Sequence, residues 1–108
     1  MRVALFGNRG KVGQALETAL RARGDEVVGI DLGDAVEIRG CDAAIDFTQP
    51  TAVHPNTLAC IEQGVPAIIG TTGMTPEQVA DIDARARAAG LPCFIAANYA
   101  IGAVLMMR

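Results

Sequence analysis

The sequence predicts an α/β fold, a doubly wound parallel sheet of about five strands with helices on both faces. Short apolar runs alternate with helical patterns along its whole length, and strands separated by crossover helices pair in parallel. Runs such as Val3–Phe6 and Ala67–Ile69 are apolar without alternation, the pattern of strands covered on both faces. Glycines close the helical segments at Gly24, Gly64 and Gly90.

Arg2–Phe6 reads as a buried strand, followed by a helix over Lys11–Arg23 with Val12, Ala15, Leu16, Ala19 and Leu20 on one face. Glu26–Asp31 is the second strand. Leu32–Asp42 holds two glycines and four charged residues and reads as a loop. Ala43–Phe47 is a third strand, Thr51–Gln63 a helix, and Pro66–Ile69 a fourth strand. Thr75-Pro76-Glu77 opens a further helix with a hydroxyl cap, proline at the first helical position and an acid in the first turn. That helix ends near Gly90, Pro92–Ala96 is the fifth strand, and Ala100–Arg108 begins a last helix. Residues 1–108 are read as one domain, and the apolar Val104, Leu105, Met106 and Met107 at its end look like part of an interrupted protein that self-associates.

Hydrophobic residues make up 51% and charged residues 19%, the usage of an ordered globular chain. The net charge of −3 and the dispersed basic residues give no nucleic-acid footprint. Cys41, Cys60 and Cys93 are too widely spaced for a zinc knuckle and too few for a disulfide framework, so they read as buried thiols. The apolar start is too short for a signal peptide, and the stretch from Ile95 to Met107 is too short for a bilayer span. The expectation is a soluble, cytoplasmic protein with no membrane or nucleic-acid partner. No metal-ligand cluster and no supported Ser/His or Cys/His pair is present in the sequence.

Chemistry enters at Gly7-Asn8-Arg9-Gly10-Lys11-Val12-Gly13, between the first strand and the first helix. Glycines there permit a tight turn, backbone approach to a phosphate and close helix–strand packing. The helix start offers free N–H groups and partial positive charge to a pyrophosphate. Asp31 ends the second strand, eighteen residues after Gly13. Its carboxylate can accept from adenosine ribose hydroxyls, a charge-assisted contact of roughly 1.5–3 kcal/mol. Together these features give a Rossmann-type dinucleotide site.

Three later motifs follow in order: Asp46-Phe47-Thr48-Gln49-Pro50, Gly70-Thr71-Thr72-Gly73, and Ala96-Ala97-Asn98-Tyr99-Ala100-Ile101-Gly102. With the glycine loop, they resemble the cofactor-binding N-terminal part of 4-hydroxy-tetrahydrodipicolinate reductases of lysine and diaminopimelate biosynthesis. The resemblance implies an oxidoreductase using NADH or NADPH. It also implies that Gly70, Thr71 and Thr72 lie beside the nicotinamide, with Thr72 near the substrate. Ala96, Ala97, Asn98 and Tyr99 are implied to touch the cofactor, and Phe47 is either cofactor-facing or core. Arg9 and Lys11 can meet a 2′-phosphate that Asp31 would repel, which leaves the choice between NADH and NADPH open.

The family's second half carries paired histidines, a lysine and a Ser-Gly-Thr segment, and nothing in this sequence matches it. The one histidine, His54, reads as a helix-surface residue. No catalytic residue is assigned, and the chain alone is expected to be inactive. The substrate implied is a small cyclic dicarboxylate imine, and the enzyme a homo-oligomer whose substrate and oligomerisation domain is absent from this chain. The competing reading is a free-standing, non-catalytic dinucleotide-binding or regulatory module.

Overall fold

The computed structural model describes residues 1–31, 33–48, 50–70 and 74–95. Thr71, Thr72, Ala96, Ala97, Asn98, Tyr99 and the helix expected over Ala100–Arg108 lie outside the described residues. In chain order the elements are β1 (Arg2–Phe6), α1 (Lys11–Ala22), β2 (Glu26–Ile30), β3 (Ala43–Asp46), α2 (Pro50–Glu62), β4 (Ala67–Ile69), α3 (Pro76–Ala89) and β5 (Cys93–Ile95). The strands form one five-stranded sheet in the order β2-β1-β3-β4-β5. Every pairing is parallel, with Phe6 level with Ile30 on one side and with Asp46 on the other. Each element matches the sequence reading to within about a residue, and 31–42 carries no helix or strand among its described residues.

Burial explains the strand composition. Ala4, Phe6 and Ala44 face a core completed by Ile38, Cys60 and Val65, on the side covered by α2 and the 31–42 loop. Val3, Leu5, Val27 and Ile45 face the opposite way, onto Leu20 and Leu16 of α1. A third cluster joins Val53 of α2, Ile69 of β4 and Ile82 of α3. Two-sided burial excludes polar positions from the strand interiors, which is why they show no alternation. Among the described residues, Asp46 and Thr57 are the buried polar ones.

The 31–42 loop takes the place of a helix over part of one face. Ile38 anchors it in the core at 1% exposure. The Gln63 amide holds the backbone on both sides of that anchor, accepting from the Ile38 N–H and donating to the Val36 carbonyl, each at 2.8 Å. These bonds satisfy backbone groups that no strand partner reaches.

The expected apolar face of α1 needs correction. Val12, Ala15 and Ala19 are exposed, and the least exposed stripe is Gly13, Leu16, Glu17 and Leu20. Those four positions keep the helical spacing but are centred about one residue later. The cause is Gly13: with no side chain, it lets the start of α1 press against the backbone of residues 7 and 8, which fixes the helix's rotation.

α3 is closed at both ends as its sequence predicts. The Thr75 hydroxyl accepts from the Gln78 N–H, and the Gln78 side chain accepts in return from the Thr75 N–H. Gly90 ends the helix in the left-handed conformation at φ 69°. His54 is not a free surface residue: it is half-buried, and its Nε2 lies 2.9 Å from Asp81 Oδ2 on α3. Arg85 holds the other Asp81 oxygen at 2.9 Å. Arg85 first, and His54 second, hold the Asp81 carboxyl below its ordinary range.

Candidate functional site

β2 lies on one side of β1 and β3 on the other. The chain thus leaves the carboxyl end of β1 in one direction and returns in the other. This reversal opens the crevice where ligands bind in sheets of this kind. Gly7 follows β1 there, and Phe47 and Thr48 follow β3.

Three glycines build the β1–α1 loop for three different reasons. Gly7 takes φ +79°, a conformation that side chains rarely adopt. Its N–H donates to the Ile30 carbonyl at 2.9 Å, and its own carbonyl accepts from the Gly10 N–H at 3.1 Å. A Cβ on Gly7 would also stand 3.3 Å from Thr48 Cγ2 and 3.6 Å from the Phe47 carbonyl carbon. Gly13 has no room at all: a Cβ there would overlap the Gly7 carbonyl oxygen and lie 2.9 Å from Asn8 Cα. Gly10 is exposed, has φ −71°, and its absent Cβ would meet only the Gly7 carbonyl oxygen, at 3.4 Å. Neither conformation nor packing among the described residues requires glycine at that position, and its lack of a side chain leaves the space in front of α1 clear.

The start of α1 is open in the electrostatic sense too. Gly10 supplies no side-chain cap and the first turn holds no acid, whereas α3 has its full capping box. Arg9, Lys11 and Val12 around it are exposed. Unfilled N–H groups with partial positive charge favour an anion. Gln14 steadies the loop by donating from Nε2 to the Arg9 carbonyl at 2.8 Å.

Asp31 closes the other side of the crevice. Its N–H donates to Asp34 Oδ2 at 2.8 Å and its carbonyl accepts from the Asp34 N–H at 3.0 Å, a tight turn that sets the carboxylate at the end of β2. Arg9 Nε stands 3.6 Å from Asp31 Oδ2, with the Arg9 side chain 76% exposed. An exposed pair at that separation contributes little, about 0–1 kcal/mol, and a ligand hydroxyl can replace it.

The sequence assigned no role to Gly29 or Asp46, which the structure places beside the candidate residues Asn8, Phe47 and Gly70. Asn8 lies across β2, and a Cβ on Gly29 would overlap its Nδ2 and come within 2.7 Å of its Cγ. Gly29 therefore makes room for the loop, and Asn8 Oδ1 is buried with no hydrogen bond among the described residues. Asp46 is 3% exposed at the end of β3, and its Oδ1 accepts from both the N–H and the hydroxyl of Thr48. Phe47 is half-buried against the core on the α1 side. Gly70 is buried at the end of β4, where its N–H donates to the Asp46 carbonyl at 2.8 Å. The thiols take no part: burial first, then the charge of Asp46, pushes Cys60 up to about 12, and burial also raises Cys41 and Cys93. Two apolar grooves lie elsewhere, one of about 550 Å³ beside Leu20 and Ile68 and one of about 760 Å³ beside Val79 and Leu91. Neither includes the glycine loop, Asp31 or the end of β3, where the polar groups converge.

The sheet order, the open helix start and the strand-end acid define a Rossmann-type domain. The family model described as "Dihydrodipicolinate reductase, N-terminus" matches residues 23–99, and the chain belongs to that family. A 4-hydroxy-tetrahydrodipicolinate reductase of Nocardia farcinica is 42% identical over 116 residues, covering 100% of this chain and 46% of the relative. Another, from Mycolicibacterium smegmatis, is 40% identical over 114 residues with the same coverage. The chain spans about half the length of the curated relatives it matches. A dipicolinate-bound dihydrodipicolinate reductase from a Paenisporosarcina species superposes with a TM-score of 0.76 at 34% identity, covering 99% of this chain and 51% of that one. A biliverdin reductase from Synechocystis, solved with biliverdin and NADP+, shares the fold at a TM-score of 0.72 and 14% identity, over 87% of this chain and 37% of its own. No helix among the described residues is long and apolar enough to cross a membrane.

Proposed function

We propose that this chain is the NAD(P)H-binding part of a 4-hydroxy-tetrahydrodipicolinate reductase. The observation that carries this reading is the open start of α1, pressed against Gly7 by Gly13 at the mouth of the β1–β3 crevice. Its N–H groups and the clearance at Gly10 fit a pyrophosphate, with Asn8, Arg9, Lys11 and Val12 around it. Asp31 would accept from the adenosine ribose in place of its weak contact with Arg9. Phe47 and Gly70, at the ends of β3 and β4, would flank the nicotinamide. Thr71, Thr72, Ala96, Ala97, Asn98 and Tyr99 belong to the same reading through the family resemblance.

A bound nicotinamide cofactor would supply the hydride that reduces the cyclic imine or enamine formed when 4-hydroxy-tetrahydrodipicolinate loses water, with a proton completing tetrahydrodipicolinate. The role of the residues in this chain is to bind and orient. None of them resembles the paired histidines and lysine expected of the family's second half, and His54 is engaged with Asp81 between α2 and α3. Missing general acids and positioning groups each lower rates by factors of roughly 10²–10⁴. In a steady-state assay with NADH and 4-hydroxy-tetrahydrodipicolinate, this chain alone is expected to show no turnover above background. A kcat in the ordinary range of enzymes, about 1–10³ s⁻¹, contradicts that division of labour.

A further inference from the structure

We propose that Asp46 is a positioning residue for the cofactor crevice: its buried carboxylate holds the turn after β3 in the shape that receives the loop at Gly7. This rests on the cofactor reading above and names a residue it did not include. Asp46 ends β3, between Phe6 of β1 and Ile69 of β4. An ionised or hydrogen-bonding group is costly there unless it is used. At 3% exposure, Asp46 has little access to solvent.

One carboxylate oxygen is fully engaged. Oδ1 accepts from the Thr48 N–H at 2.8 Å and from the Thr48 hydroxyl, closing a turn of the kind aspartate favours. Asn56 on α2 adds a donor from Nδ2 to Thr48 Oγ1 at 3.4 Å, which ties the turn to the following helix. The turn in turn bears on the glycine loop, because Thr48 Cγ2 and the Phe47 carbonyl carbon border the space beside Gly7. The contacts run from Asp46 through Thr48 to Gly7, so Asp46 Oδ1 helps set the position of the β3 side of the crevice. The other oxygen, Oδ2, is buried with no hydrogen bond among the described residues. A group needed only for packing would not retain a carboxylate there, since an apolar side chain of that size avoids its desolvation.

The test uses two substitutions and two readouts. Asp46→Asn keeps an acceptor at the Oδ1 position, and Asp46→Ala removes it. Amide hydrogen exchange followed by NMR reads the turn directly, and calorimetric titration with NADH reads the crevice. In Asp46→Ala the Thr48 N–H should exchange at least about tenfold faster, and NADH should bind about tenfold or more weakly. In Asp46→Asn both values should stay within about threefold of wild type. Equal behaviour of wild type and Asp46→Ala in either readout overturns the proposal. So does an Asp46→Asn variant as impaired as Asp46→Ala, because charge would then matter rather than the acceptor. If wild type fails to bind NADH, the cofactor reading and this role both fall, and the exchange data alone state whether Asp46 holds the turn. If the alanine variant does not fold, the asparagine variant and Thr48→Val decide: the valine should weaken NADH binding through the lost hydroxyl, and unchanged affinity counts against the role.

Discussion

Gly13→Ala is expected to be strongly destabilising. The new Cβ would overlap the Gly7 carbonyl oxygen and crowd the Gly7 carbonyl carbon at 2.8 Å and Asn8 Cα at 2.9 Å. All three are backbone atoms, so no side chain can swing aside. Either α1 must lift from the sheet, exposing Leu16 and Leu20, or the loop must be rebuilt. Overpacking of a core ordinarily costs about 1–3 kcal/mol, and a backbone clash belongs at the upper end. Thermal unfolding should show Tm lowered by roughly 10 °C or more, and NADH binding should be lost with the loop geometry. Gly10→Ala is the matched control, since its Cβ meets one atom at 3.4 Å. If Gly13→Ala melts with wild type, α1 is not seated on Gly7 as described.

Asp31→Ala is expected to change which cofactor binds. Removing the carboxylate removes the ribose acceptor, a loss of roughly 1.5–3 kcal/mol, or about 10–100-fold in NADH affinity. It also removes the charge that would repel a 2′-phosphate and releases Arg9, which now stands 3.6 Å from Asp31. NADPH affinity should therefore hold or rise, most visibly at low salt, because Arg9 is exposed and its attraction is screened. Paired titrations with the two cofactors check this. An equal fall for both would mean that the Asp31–Asp34 turn is structural and that the ribose lies elsewhere.

The fold was legible because its signals are local. Val3–Phe6 or Ala67–Ile69 can hardly be anything but buried strands between helical patterns, and Thr75-Pro76 and Gly90 mark helix ends by their own backbone preferences. The glycine loop was legible for the same reason. What escaped were facts that depend on which strand lies beside which. Nothing local to the sequence singles out Gly29, whose role appears only with Asn8 lying across it. Asp46 reads as the polar end of a strand, yet the pairing of β3 with both β1 and β4 buries it. The face of α1 was displaced because Val12 is a better apolar candidate than Gly13 in sequence, while the space at Gly7 admits only a glycine. His54 looked solvent-facing because Asp81, its partner, is 27 residues away on another helix.

The central claim is that the β1–α1 loop receives a dinucleotide, and calorimetric titration of NADH into wild type and Gly10→Val tests it most directly. Position 10 is exposed at φ −71°, so the variant should fold with a Tm close to that of wild type. Its branched side chain would occupy the space in front of the α1 N–H groups. Saturable binding by wild type that disappears in the folded variant is the predicted result. Equal affinity in the two, or no binding by wild type, contradicts the account.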